Sequence, residues 1–429
     1  ERERWFDGLE SPRLIAVPAS WNDQMQDTRD YMGMAWYFRS AYIPHGWRGQ
    51  RIFMRVGSAN YAARVWMNGT LIGEHHGGHL PFEFDITETI NWGDPNTIAI
   101  QVENHLRPDR VPPGNVVGTG VGAFLRSYPA AAFDFFPYAG LHRPVLLYAV
   151  PETHIQDVTV VTDVEGPHGA VTIRVAHGVN AKECRVALSG ENLEEVVVVT
   201  SSGGVAETTI DIPNARFWST PDPYLYKLSI SLTAGGRVTD RYDLEVGVRT
   251  VEVRGNELLL NGEPVFLKGF GKHEDFPIHG RGLNIPLIVK DYALLKWVGA
   301  NSYRTSHYPY SEEAMMFADR EGILIVNEIP AVGLFFDDDD AGIQERLRLC
   351  KQQIRELVDR DKNHPSVIMW SLANEPFTIK GGFAALLGSE PPIPHPAAKP
   401  FFAELFDLTR ELDQTRLVTL ASMAGLADE

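Results

Sequence analysis

A chain of 429 residues exceeds what one ordinary hydrophobic core organises, so two or three domains are expected, and 44% hydrophobic with 22% charged residues describes a globular protein. A formal net charge of −17 lacks the positive field that nucleic acid demands, and no apolar run approaches the roughly 18 residues of a membrane-spanning helix, so neither nucleic acid nor membrane is expected as a partner. The two cysteines, Cys184 and Cys350, fall in different segments and make no disulfide scaffold; Cys350 reads as a small buried hydrophobe on a helix face. The opening Glu1-Arg2-Glu3-Arg4-Trp5 does not resemble a signal peptide and reads as the interior of a longer chain. The sequon Asn68-Gly69-Thr70 is too common a pattern to decide between a cytoplasmic and a secreted protein.

Residues 1–150 carry short alternating runs separated by turn signals, among them Arg51–Val56, Ala63–Met67 and Thr97–Val102, with Asn68-Gly69 and Gly77-Gly78 between runs. That rhythm predicts an antiparallel sandwich. Residues 151–250 continue in strands such as Val171–Val175 and Tyr226–Ile230 and predict a second, immunoglobulin-like sandwich. After about residue 264 the pattern changes, and strands alternate with helices. Val265–Phe270, Asn301–Thr305, Ile323–Val326, Val367–Leu372 and Leu417–Leu420 read as strands. Between them, Ile288, Tyr292, Leu295 and Val298 share one helical face, Ser311 caps a second helix ended by Gly322, and Ile343, Leu347, Cys350, Ile354, Leu357 and Val358 line a third. A further helix is predicted over residues 400–412.

Continuous apolar strands alternating with helices belong to a parallel α/β domain. Ionisable residues follow the strand ends, where a (β/α)₈ barrel builds its site, and no phosphate-binding glycine cluster follows the first strand. The predicted fold class is therefore multidomain, β followed by α/β. A jelly-roll sandwich (1–150) and an immunoglobulin-like sandwich (151–250) precede the first part of a TIM barrel (251–429). Five strands do not close a barrel, so a C-terminal half-barrel is expected as a partner, on this chain or on a second fragment.

Asn374-Glu375-Pro376 follows the fourth strand directly. A carboxyl at a strand mouth, beside an amide and bordered by Trp370, suits general acid work, since partial desolvation would raise its pKa. Tyr303-Arg304-Thr305-Ser306-His307-Tyr308-Pro309 ends the second strand with a cation, an imidazole and two phenols, and this concentration favours a site. Gly271-Lys272-His273-Glu274-Asp275 is weaker, because such a turn also serves to close a barrel. No paired His-x-x-x-His spacing supports a metal, and Asp337-Asp338-Asp339-Asp340 lacks the alternating pattern and glycine turn of a calcium loop and reads as solvated.

In this order the motifs resemble the β-glucuronidase branch of glycoside hydrolase family 2, over the whole chain. The resemblance rests on Ala16–Gln24, Val65-Trp66-Met67-Asn68-Gly69, His76-Gly77-Gly78 through Pro81-Phe82, and Phe133–Arg143 in the first sandwich. In the α/β region it rests on Gly269–Asp275, Gly299–Pro309 and Asp361–Pro376. It implies a retaining β-glucuronidase without cofactor or metal, acting on a glucuronide substrate, and a homo-oligomer. Glu375 aligns with the family's acid/base and Asn374 with the residue touching the sugar 2-hydroxyl. Asp134 matches an aspartate reaching across to the sugar, His307 a glycone-contacting histidine, and Arg304 the arginine that steadies the nucleophile. The nucleophilic glutamate and the Asn-x-Lys segment that reads the uronate lie beyond residue 429. Segment 377–399 has no clear counterpart and is a candidate for shaping aglycone preference. A related specificity (a β-galacturonidase or β-galactosidase) and a non-catalytic carbohydrate-binding protein remain the alternatives.

Overall fold

The structure is a computed structural model, and it describes residues 5–9, 11–114, 133, 135–381 and 393–422. The first sandwich contains β1 (Met34–Ala41), β2 (Arg51–Val56), β3 (Ala62–Met67), β4 (Thr70–His76), β5 (Phe82–Asp85), β6 (Asn96–Glu103) and β7 (Val145–Val150). They form one sheet ordered β1-β6-β3-β4 and a second ordered β5-β2-β7, all antiparallel. Alternation explains the layering: Ile52, Met54 and Val56 point into the core with Val65, Met67, Ile98, Ile100 and Val102. The β3–β4 hairpin turns on Asn68 and Gly69, both at positive φ. The Asn68 amide donates to the Thr89 carbonyl and accepts from the Thr97 N–H, so the sequon residue is a structural part of the turn.

The second sandwich contains β8 (Ile155–Glu165), β9 (His168–His177), β10 (Glu183–Gly190), β11 (Leu193–Thr200), β12 (Val205–Ile212), β13 (Tyr226–Ala234) and β14 (Arg237–Val246). Its sheets, β8-β9-β12 and β11-β10-β13-β14, enclose a core rich in valine and isoleucine.

The α/β region holds five parallel strands in sequential order: β15 (Gly269–Lys272), β16 (Ser302–Thr305), β17 (Leu324–Glu328), β18 (Val367–Asn374) and β19 (Leu417–Ala421). Helices α1 (Ile285–Trp297), α2 (Glu312–Glu321), α3 (Asp340–Asp361) and α4 (Ala398–Leu412) are described between them. The local signals act as expected. Ser311 accepts from the Ala314 N–H at the start of α2, Gly322 ends it in the left-handed region, and the whole predicted apolar face of α3 is buried. Tyr303 turns outward to meet Tyr292 of α1 through their hydroxyls, 2.8 Å apart, while its neighbour Arg304 takes the opposite face of the sheet.

Several expectations are corrected. The first parallel strand begins at Gly269 rather than Val265. Residues 263–264 still pair with Leu259 and Leu260, and Val265 and Leu267 pack around Trp218, so residues 265–268 lead out of a hairpin into the sheet. Val298 is exposed, because the helix has already ended at Trp297. The aspartate run is not simply solvated: Asp338 grips the buried Arg346 with both oxygens, and Asp339 caps α3 by accepting from the Gly342 N–H.

The second sandwich is joined to the α/β region by buried polar contacts. Trp218 donates its indole N–H to the Asp319 carbonyl, Arg249 donates to the Pro365 and Val367 carbonyls, and Asn363 bonds Val158 and Val160. Asp319 also takes the His364 ring nitrogen at 2.5 Å. Burial alone would favour neutral His364, but the facing Asp319 charge and hydrogen bond outweigh it and raise its pKa. A raised pKa gives stability that is fully present below about pH 6.5 and is lost as pH rises through the folded value. Thermal unfolding should therefore show a downward slope above about pH 6.5 that Asp319→Asn removes; an unchanged slope in that variant would assign it to other groups.

Candidate active site

Three adjacent strands turn polar side chains to the same face at their C-terminal ends. β16 supplies Arg304, β17 supplies Glu328 and β18 supplies Ser371, with Glu328 and Ser371 directly opposite in the parallel register. Glu328 is fully buried, and the described donors meet both of its oxygens. Oε1 accepts from His307 Nδ1 at 2.7 Å; Oε2 accepts from Arg304 Nη1 at 3.0 Å and from Ser371 Oγ at 2.6 Å. Its own N–H donates to Thr305 Oγ1 at 2.8 Å.

Arg304 Nη1 also donates to Asn374 Oδ1 at 3.0 Å. A guanidinium has only donors, so the oxygen of this amide must face it, which fixes the orientation of Asn374. The backbone of Asn374 is pinned on both sides: its N–H donates to the Ala331 carbonyl, and its carbonyl accepts from the Gly333 N–H. The next residue, Glu375, is held by its N–H to the Ala421 carbonyl at 2.8 Å and sits at φ +47°, a region non-glycine residues seldom occupy. Its side chain is exposed at the rim.

Arg304, His307 and Asn374 thus come together around one buried carboxylate, with Glu375 beside them. Three details differ from expectation, the first being that Glu375 is exposed rather than partly desolvated. Trp370 does not border Glu375, since alternation along β18 turns it toward the helices, where its indole donates to Asp413 at 2.9 Å. Glu274 serves domain docking, lying 3.5 Å from Arg143 of the first sandwich, while Asp275 pairs with Arg281 within the α/β region. Asp134 lies outside the described residues. Its neighbour Phe135 is buried in the α/β core, near Tyr308 and His273, with ring centroids 5.2 and 5.9 Å away. Glu328 was missed by sequence reasoning. The available signal was an Asn-Glu pair closing a strand, Asn327-Glu328, which Asn374-Glu375 repeats one strand later. Among the described residues no group of three His, Cys, Asp or Glu side chains is placed to hold a metal ion.

A carboxyl at the rim of a parallel strand, beside an oriented amide and close in the fold to a guanidinium and an imidazole, defines a glycosidase-like site at the C-terminal ends of five parallel βα strands. Family patterns agree with that class: "Glycosyl hydrolases family 2, sugar binding domain" matches residues 2–151, "Glycosyl hydrolases family 2" residues 153–249, and "Glycosyl hydrolases family 2, TIM barrel domain" residues 251–428. The chain belongs to glycoside hydrolase family 2. It is 41% identical to the β-glucuronidase of Paenibacillus borealis over 97% of this chain and 69% of that protein, and 42% identical to that of Mus musculus over 96% and 62%. Among solved structures, Ruminococcus gnavus β-glucuronidase in complex with C6-substituted uronic isofagomine is 37% identical, with a TM-score of 0.85 over 97% of this chain and 68% of that one. Bifidobacterium dentium β-glucuronidase complexed with coumarin-3-O-glucuronide is 35% identical, with a TM-score of 0.88 over 97% and 70%. The chain therefore spans roughly two thirds of the length of these relatives.

The backbone at Glu375 gives a direct test of stored strain. A glycine meets no Cβ penalty at positive φ whereas alanine does, so Glu375→Gly should be more stable than Glu375→Ala by about 1 kcal/mol. Denaturant unfolding of the two variants measures this, and the reverse order would show that the position is unstrained.

Proposed function

We propose that this chain is the N-terminal part of a retaining β-glucuronidase, converting β-D-glucuronides to glucuronic acid and an alcohol by double displacement. The observation that carries the proposal is the convergence of Arg304, His307 and Asn374 beside Glu375 at adjacent strand ends, in a chain about 41% identical to a curated β-glucuronidase. In the proposed reaction Glu375 protonates the leaving oxygen while a second carboxylate, about 5 Å away in retaining enzymes, attacks the anomeric carbon. Glu375 then takes a proton from water as that water releases the sugar. Asn374 holds the 2-hydroxyl, and His307 and Asp134 contact the sugar. Domain divisions near residues 150 and 250 accompany this reading.

The second carboxylate and the segment reading the uronate are assigned to a remaining half-barrel. Two observations support such a partner. Among the described residues the sheet has open edges at β15 and β19. The surface around β15 and α1 also leaves Phe266, Phe270, Leu294, Trp297 and Val298 exposed, a cluster of large apolar side chains that further strands and helices would cover. Cations in that half are needed electrostatically, because a chain at −17 otherwise repels an anionic substrate.

Three experiments follow. In the full-length protein, Glu375→Gln should abolish turnover of alkyl glucuronides while leaving the first step on an activated aryl glucuronide detectable, since a good leaving group needs little proton donation. Wild-type kcat on an alkyl substrate would remove Glu375 from its role. Asp134→Ala should lower kcat/KM by about 1–3 kcal/mol through a lost charge-assisted hydrogen bond, and an unchanged value would dismiss the contact. Residues 1–429 expressed alone should neither hydrolyse glucuronides nor unfold in one cooperative transition. Full activity would overturn the half-barrel assignment.

A further inference from the structure

We propose that Glu328 is a positioning residue of this site: its buried carboxylate fixes Arg304, through Arg304 the amide of Asn374, and separately the tautomer of His307. The inference rests on the glycosidase reading for its consequence in turnover, but its structural claim stands on the hydrogen bonds alone.

Glu328 contacts no solvent, yet it meets Arg304 and His307 at the neighbouring strand end. Its Oε1 accepts from His307 Nδ1, so the proton of the neutral ring sits on Nδ1. Its Oε2 holds Arg304 Nη1, whose second hydrogen reaches Asn374 Oδ1. With the carbonyl end of Asn374 engaged, the Nδ2 hydrogens are turned away from Arg304. The donor end of an amide one residue before Glu375 is thereby chosen by a carboxylate on the adjacent strand, two hydrogen bonds away through Arg304. Ser371, opposite in the register, supplies the third donor and keeps the carboxylate from rotating.

Replacing the carboxylate with a carboxamide, in Glu328→Gln, exposes the logic. The carboxamide has one acceptor and one donor end, but both sides of the site offer donors. If its oxygen faces Arg304, its NH₂ faces His307 Nδ1 and forces the proton to Nε2. If its oxygen faces His307, its NH₂ meets Arg304 and releases the guanidinium from its place beside Asn374. A purely structural ion pair would lose stability in the variant without selecting between these outcomes.

The test uses the full-length protein. Glu328→Gln should lower kcat/KM for an aryl glucuronide by about 100-fold, mainly in kcat, and the same change in an Asn374→Ala background should cost at least about threefold less, because the part transmitted through Arg304 to Asn374 is already lost while the part acting on His307 remains. Losses that multiply independently in the double variant would overturn the link to Asn374. Isotope-edited NMR of the imidazole nitrogens, above the pH where the ring is charged, gives a readout independent of turnover. The proton should be on Nδ1 of His307 in wild type and wholly or partly on Nε2 in Glu328→Gln; an unaltered tautomer together with unaltered turnover would reject the proposal. If Glu328→Gln does not fold, Ser371→Ala loosens the same carboxylate more gently and should lower kcat by about 3–10-fold, again coupled to Asn374→Ala, and additivity there would equally overturn the link. A wild-type protein with no glucuronidase activity would sink the proposed function, while the His307 tautomer would still decide the role of Glu328.

Discussion

A carboxylate with no access to water must be met by donors, and that demand at Glu328 organises the candidate site. Removing an ion of this kind from water costs several kcal/mol, and losing one partner of a buried pair typically costs about 3–5 kcal/mol. The donors come from Arg304 on β16, His307 just beyond it and Ser371 on β18, so one anion ties three neighbouring strand ends together. The result is a strand mouth whose polar groups are already oriented before any ligand arrives, which is what electrostatic preorganisation requires.

The same rule separates the interdomain contacts that matter from those that decorate the surface. Arg143 is buried, and it donates to the His79 carbonyl of its own sandwich and to the Pro309 carbonyl of the α/β region, with Glu274 nearby. Without it, buried acceptors from two domains would be left unmatched. Arg281 likewise lies over the Tyr308 ring at 4.0 Å and pairs with Asp275. The Arg55–Glu312 pair is bidentate but partly exposed, and screening reduces such a pair to about 1 kcal/mol or less. The first sandwich is thus docked by its buried Arg143 and by Phe135, which lies under Arg281 of the α/β region, immediately beside the turn that carries His307.

The sequence by itself determined the elements and their faces. Strand alternation in the sandwiches, the apolar stripe of α3, and the Ser311 and Gly322 ends of α2 depend on neighbours within a turn or two, so local residue order suffices to encode them. It also exposed Asn374-Glu375 and Arg304 through His307, because ionisable groups at strand ends stand out against apolar runs. Tertiary structure alone decided what those groups meet. Glu328 looked like the end of an ordinary strand, and its partners lie 21 to 43 residues away, a separation that no periodicity reports. Trp370 pointed away from the site because the pleat assigns side chains to faces in strict alternation, and Asp338 found a buried arginine instead of solvent. Composition and period record whether a side chain leaves water; which donor waits for it is set only when distant strands align.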